Sequence, residues 1–238
     1  MKKVIIVGAT SGIGRALAIL FAKNNWLVGI TGRRKHLLDS LQEEFPYNIL
    51  TERFDVTEDE NIDCIKNLIQ QLGGLDLLIY NSGYGEPSES LDWKIDQLTT
   101  TTNVNGFIEI TNYIFNHFLL EGKGHITATS SIAANRGNSL APAYSASKAF
   151  MSTYMEGLYI KTKRLKLPIF ITDIQPGFVN TGMAKAEQKF WVASADKAAM
   201  QIFSAIKNKK RKAYITRRWW MVARLMKLMP MFFYRKIG

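Results

Sequence analysis

Short apolar, β-branched runs alternate with longer stretches of helical periodicity from the first residue to about Thr216. Lys3 to Val7 predicts a strand buried on both faces, because Val4 to Val7 leaves no polar position for a solvated side. Gly12–Asn24 predicts a helix and Trp26–Thr31 a second strand. The same reading gives helix Arg34–Phe45, strand Tyr47–Phe54, helix Glu58–Leu72 and strand Leu75–Tyr80. A long helix over Leu91–Leu120, strand Gly124–Thr129, helix Pro142–Leu165, strand Pro168–Ile174, helix Ala195–Lys207 and strand Lys212–Thr216 complete the series. Strict alternation of strand and helix predicts an α/β domain over residues 1–216, a doubly wound (Rossmann-type) seven-stranded parallel sheet with helices on both faces. No linker, repeat or low-complexity segment interrupts it. In such sheets ligands bind beyond the carboxyl ends of the strands, so chemistry is expected just after strands.

Composition adds two constraints. With 47% hydrophobic and 21% charged residues the chain is of globular type. A single cysteine, Cys64, excludes an internal disulfide framework or a Cys-rich zinc module, and points to a reducing cytoplasmic location. The opening Met1-Lys2-Lys3 and apolar run reads as structure, not as a leader, since Gly8, Gly12, Gly14 and Arg15 stand where an apolar core and cleavage site belong. No uncharged apolar stretch approaches the roughly 18 residues of a spanning helix. The net charge of +11 is localised: residues 1–206 hold 20 basic and 20 acidic side chains, while 207–238 hold 11 basic ones and no acid.

Gly8-Ala9-Thr10-Ser11-Gly12-Ile13-Gly14 follows the first strand and opens the first helix, the context of a nucleotide-binding turn. Its glycines would let the backbone approach a pyrophosphate. A carboxylate at the end of the second strand would favour NAD by accepting from a ribose hydroxyl, but this chain has Thr31-Gly32-Arg33-Arg34. Two guanidinium groups at a helix start oppose its dipole, which favours a phosphate partner and hence NADP(H). Asp55-Val56 and Asn81-Ser82-Gly83 follow the third and fourth strands, where adenine or ribose should lie, though each could equally be a cap or turn.

Ser131, Tyr144 and Lys148 carry the sharpest chemical signal. Four residues apart on one helix, Lys148 shares a face with Tyr144. A fixed ammonium there is expected to pull the phenol below its ordinary pKa of about 10, making Tyr144 a general acid and base. Tyr159 and Lys163 repeat the spacing, but no strand-ending serine precedes them, so that pair reads as a solvated helix face. His36, His117 and His125 lack a nucleophile partner, and no cluster of metal ligands is present.

These residues, in this order, resemble the single-domain branch of the short-chain dehydrogenase/reductase family, over about Lys3 to Thr216. The set is the glycine turn, Asp55-Val56, Asn81-Ser82-Gly83, Asn103, Ser131, Tyr144/Lys148 and Pro176-Gly177-Phe178-Val179-Asn180-Thr181. The resemblance implies that Ser131 holds a substrate carbonyl, Tyr144 passes it a proton, Lys148 also binds the nicotinamide ribose, and Asn103 anchors a water relay. It further implies that Pro176, Gly177, Val179 and Thr181 cover the nicotinamide, that Asp55 meets the adenine, and that the subunits form dimers or tetramers. Val7 replaces the usual Thr before the first glycine, and Tyr80-Asn81-Ser82-Gly83 replaces Asn-Asn-Ala-Gly. The implied function is hydride transfer between NADP(H) and a carbonyl/alcohol pair. A nucleotide-sugar epimerase and a non-catalytic NADP(H)-binding protein are the alternatives; the first lacks a substrate domain after residue 216, and the second would not need both Tyr144 and Lys148.

The tail, 217–238, mixes cations with Trp219, Trp220, Met221, Met226, Met229, Phe232 and Phe233. At about 100° per residue, Arg217, Arg224 and Lys227 fall on one arc and Trp219, Val222, Leu225, Met226 and Met229 on another. Together with the five cations of Lys207 to Lys212 it could lie, over 207–238, on the inner membrane surface; otherwise it could wall a substrate pocket that takes an apolar carbonyl compound, contact a second subunit, or bind nucleic acid through charge alone.

Overall fold

The chain builds its core from the alternation of the central strands, and the computed structural model describes residues 1–181 and 191–236. Strands β1 (Lys3–Val7), β2 (Leu27–Gly32), β3 (Ile49–Arg53), β4 (Leu77–Tyr80), β5 (Gly124–Thr129), β6 (Ile169–Pro176) and β7 (Lys212–Ile215) form one sheet. Their order is β3-β2-β1-β4-β5-β6-β7, with every neighbouring pair parallel. Val4 and Ile6 turn to one face and Ile5 and Val7 to the other, all without solvent contact. Full burial of each such side chain contributes about 1.5–3 kcal/mol.

One face is covered by α1 (Gly12–Lys23), α2 (Lys35–Glu44) and α7 (Ala195–Lys207), the other by α3 (Asn61–Leu72), α5 (Gly106–Glu121) and α6 (Pro142–Leu165). Local chemistry sets the helix ends. Gly73 and Gly122 adopt left-handed φ values of 69° and 71° after α3 and α5, and Pro142 opens α6. The Ser194 hydroxyl accepts from the Lys197 N–H at 3.2 Å to cap α7.

The single long helix expected over Leu91–Leu120 is divided. It starts as α4 (Trp93–Thr100), passes through a π-turn at Thr101–Asn105 and continues as α5. The wider turn exposes the Thr102 carbonyl, which accepts from the buried Tyr80 phenol at 2.8 Å. Tyr80, a departure from the usual family motif, therefore has a local structural role.

After β7 the chain forms α8 (Trp219–Leu228) and the single turn α9 (Met231–Tyr234). The expected apolar arc needs one correction: Trp219, Val222, Ala223 and Met226 face inward, while Leu225 is 60% exposed. The helix rests on the body through the side centred between Trp219 and Val222, which rotates Leu225 to the rim. Among the described residues no helix is long and apolar enough to cross a membrane.

Candidate active site

The sheet reverses its winding between β1 and β4, and the residues singled out by spacing gather at the carboxyl ends of these strands and of β5 and β6. The glycine turn runs from β1 into α1. Gly8 has a φ of 84°, and a Cβ there would lie 2.7 Å from the Ser82 backbone nitrogen. Gly14 is more constrained still, since an added Cβ would overlap the Gly8 carbonyl and come within 2.8 Å of the Asn81 amide nitrogen. Asn81 itself ties the turn to β5: its amide donates to the Gly8 carbonyl at 3.1 Å and its oxygen accepts from Thr129 at 3.1 Å.

The two arginines after β2 reach inward. Arg34 donates to Thr10 Oγ1 at 2.6 Å and to Ser11 Oγ at 2.8 Å, so its guanidinium sits on the glycine turn. Arg33 meets Asp55 at 3.4 Å, while Asp55 also accepts from the Thr57 N–H at 3.1 Å. No acid occupies the first turn of α2, and of the cations at its start Arg33 pairs with Asp55, Lys35 with Asp39 at 2.7 Å, and Arg34 with hydroxyls of the glycine turn. Val56 is buried, and its carbonyl lies where a Cβ on Gly106 would stand.

Ser131 follows β5 and caps a 3-10 turn over Ile132–Asn135, accepting from the Ala133 N–H at 3.1 Å. The predicted pair meets, Ser131 lying near enough to the Tyr144 phenol to influence its titration. Lys148 is buried one turn along α6, with Nζ 5.8 Å from the Tyr144 ring centre and donating to the Thr129 carbonyl at 3.0 Å. The electrostatics correct the sequence expectation. Burial pushes the Tyr144 phenol above its ordinary value, with the Ser131 hydrogen bond acting against it. Burial also lowers Lys148 to about 8, opposed by the charge of Asp173. A lysine that is itself driven toward neutrality is a weaker acidifier of its neighbour than a solvated one.

Asn103 occupies the π-turn and is fully buried. Its amide donates to the Tyr84 carbonyl at 2.7 Å and to Ser147 at 2.9 Å, and its oxygen accepts from the Tyr84 N–H at 2.8 Å. The side chain thus fastens the segment after β4 to α6, beside Gly83, where an added Cβ would lie 3.1 Å from Lys148 Nζ.

Pro176 ends β6, and the loop beyond it returns over the glycine turn: a Cβ on Gly12 would lie 2.9 Å from Thr181. Val179 is buried and bridges to Ala193, and Trp219 covers Gly177 so closely that a Cβ there would enter its ring. Residues 182–190, between this loop and α7, lie outside the described set, as do 237–238 at the end of the tail.

A model of the short chain dehydrogenase family matches residues 2–190. The chain belongs to the short-chain dehydrogenase family. An uncharacterized oxidoreductase of Myxococcus xanthus is 34% identical over 186 residues, covering 76% of this chain and 73% of that protein. An NADP-dependent 3-hydroxy acid dehydrogenase of Salmonella typhi is 30% identical over 180 residues, with 74% and 72% covered. A short-chain dehydrogenase/reductase of Burkholderia phymatum, solved in complex with NAD, superposes with a TM-score of 0.86 at 20% identity, covering 94% and 92%. In this short-chain dehydrogenase three site features escaped the sequence reading. Gly85 backs the Tyr144 ring, leaving no room for a Cβ. Arg136, after the turn that Ser131 caps, donates to the Met226 and Met229 carbonyls at 3.1 and 2.9 Å. Asp173, almost wholly buried in β6, accepts from Ser130 at 2.5 Å and Ser152 at 2.7 Å and pairs with Lys212 at 3.3 Å. An acid inside the apolar strand Ile169–Pro176 was the available signal for it.

Proposed function

We propose that the chain is an NADP(H)-dependent oxidoreductase that interconverts a carbonyl and an alcohol on a small molecule, with Tyr144 as acid and base. The observation that carries this reading is the juxtaposition of Ser131 and Tyr144 with Lys148 buried behind them, at the strand ends that also bear the glycine turn. The site fits a dinucleotide. Gly8 and Gly14 let the turn close onto Ser82 and Asn81 at the start of α1, where free helix N–H groups would meet a pyrophosphate, and two guanidinium groups converge near Thr10, Ser11 and Asp55, where a 2'-phosphate would be held. Asp55, Val56, Asn81, Ser82 and Gly83 would border the adenosine, Lys148 the second ribose, and Pro176, Gly177, Val179 and Thr181 the nicotinamide. When bound, that ring supplies the hydride donor or acceptor.

The chain's own residues supply the rest. In reduction, the Ser131 and Tyr144 hydroxyls both donate to the substrate oxygen as negative charge grows on it. Tyr144 then gives up its proton, and the Lys148 ammonium and Ser131 hydroxyl offset the phenolate charge. A phenol raised by burial keeps its proton at neutral pH, which suits the reducing direction. Asn103 holds the segment beside Lys148 in place.

The test is a panel of aldehydes and ketones followed by NADPH oxidation, repeated with NADH and with Arg33→Asp. Consumption of NADPH by at least one carbonyl is expected, with the NADPH preference falling roughly tenfold in the variant. No dinucleotide binding at all would overturn the reading, and an unchanged preference would overturn the assignment of NADP(H).

A further inference from the structure

We propose that α8 and α9 form a docking face for an anionic lipid bilayer. Helix α8 is apolar almost all round, its only charged members being Arg224 and Lys227. Such a helix is unstable in water unless both sides are covered. The body covers one side, through Trp219, Val222, Ala223 and Met226. On the other, Trp220, Met221, Leu225 and Leu228 remain open, from 48% exposed at Trp220 to 80% at Leu228. Met231, Phe232 and Phe233 extend the open surface along α9, each more than half exposed. A contiguous run of this kind marks an interaction site.

Charge decides the partner. Arg217, Arg218, Arg224, Lys227, Arg235 and Lys236 are all exposed around these side chains, and no acid occurs after Asp196. The cations interleave with the rings: the Arg224 guanidinium lies 5.1 Å from the Trp220 ring centre and that of Arg235 4.7 Å from Phe232. A groove of about 390 Å³ beside α8 adds Lys210 and Arg217 next to Trp220. A second copy of this face would set like charges against each other, and nucleic acid would use the cations without the apolar residues. An anionic bilayer satisfies both, phosphates at the level of the cations and apolar side chains at the acyl boundary.

The face is also built rather than loose. Arg136 binds the carbonyls that end α8, its guanidinium stacks 4.3 Å from the Tyr234 ring, and the Tyr234 hydroxyl donates to the Gly137 carbonyl at 2.6 Å. These anchors lie on the segment after Ser131, and Trp219 lies on Gly177. Docking would therefore bring the substrate side of the crevice to the bilayer, where apolar carbonyl compounds concentrate; this last step rests on the function proposed above.

Co-sedimentation of the full chain with vesicles tests the proposal. Vesicles of phosphatidylcholine alone are compared with vesicles of three parts phosphatidylcholine to one part phosphatidylglycerol. Binding is expected on the mixed vesicles, roughly tenfold weaker on the neutral ones, and weaker again as salt rises. The double variant Leu228→Glu/Phe232→Glu should lose at least about tenfold on mixed vesicles while keeping the wild-type Tm, because both side chains project into solvent. Equal pelleting of variant and wild type would overturn the proposal, as would no pelleting of either. So would a wild type that self-associates through this face and ignores vesicles. The readout involves no turnover, so a loss of vesicle binding leaves the oxidoreductase reading standing, and a chain that binds vesicles without reducing any carbonyl leaves this one.

Discussion

The glycine turn and the C-terminal tail are both held against the crevice, but by different means. At the turn, backbone meets backbone: Gly8 stacks on the Ser82 nitrogen and Gly14 on the Gly8 carbonyl, so the geometry depends on atoms that are missing. At the tail, side chains do the holding: Trp219 covers Gly177, Arg136 binds two carbonyls, and Tyr234 reaches Gly137. A site made of absent Cβ atoms tolerates few alternatives, whereas one made of side-chain anchors can be adjusted piece by piece. The first suits a ligand common to many proteins, and the second a partner or substrate particular to this one.

Several substitutions sharpen that contrast. Tyr144→Phe should lower carbonyl reduction by about a thousandfold while leaving dinucleotide affinity within about twofold, read by steady-state rates and fluorescence titration. A matching loss of affinity would mean that the catalytic and binding halves are not separable. Asp173→Asn should cost about 3–5 kcal/mol by leaving Lys212 half-buried without its carboxylate, seen in denaturant unfolding. Because Asp173 also supports the charge on Lys148, the same variant should move the alkaline limb of the rate profile down in pH. His125, bound to Thr172 at 2.8 Å, is held at about 4 by burial, with Lys209 adding in the same sense. A folded pKa below the unfolded one means stability is complete above pH 6.5 and is lost as pH falls toward 4, on the order of 3 kcal/mol. His125→Gln should flatten that part of the Tm profile. The smallest effect belongs to the tail: Tyr234→Phe should cost about 1 kcal/mol and raise proteolysis after Met229 before it changes any rate.

How far the sequence reached follows the same division. The doubly wound parallel sheet and the placement of the glycine turn were legible because period and chirality leave few ways to arrange alternating strands and helices. Ser131, Tyr144 and Lys148 were legible because spacing along one helix fixes a shared face. The protonation behaviour was not, since it depends on how deeply α6 buries both groups, and that is a property of the packed whole. The π-turn was hidden too, because the Tyr80 phenol that donates to its displaced carbonyl lies 22 residues upstream of Thr102. For the tail, periodicity found an amphipathic trend but assigned Leu225 to the wrong side, as a helix with two apolar sides gives the pattern no preferred direction.

The indole of Trp219 on Gly177 makes deletion of the tail an ambiguous instrument. A chain cut at Thr216 would lose its outer surface and, at the same stroke, the ring that props the loop after β6. Inactivity in such a fragment would report a collapsed loop as readily as a missing anchor. Point changes at solvent-facing positions such as Leu228 leave that prop untouched, and they alone can tell attachment from architecture.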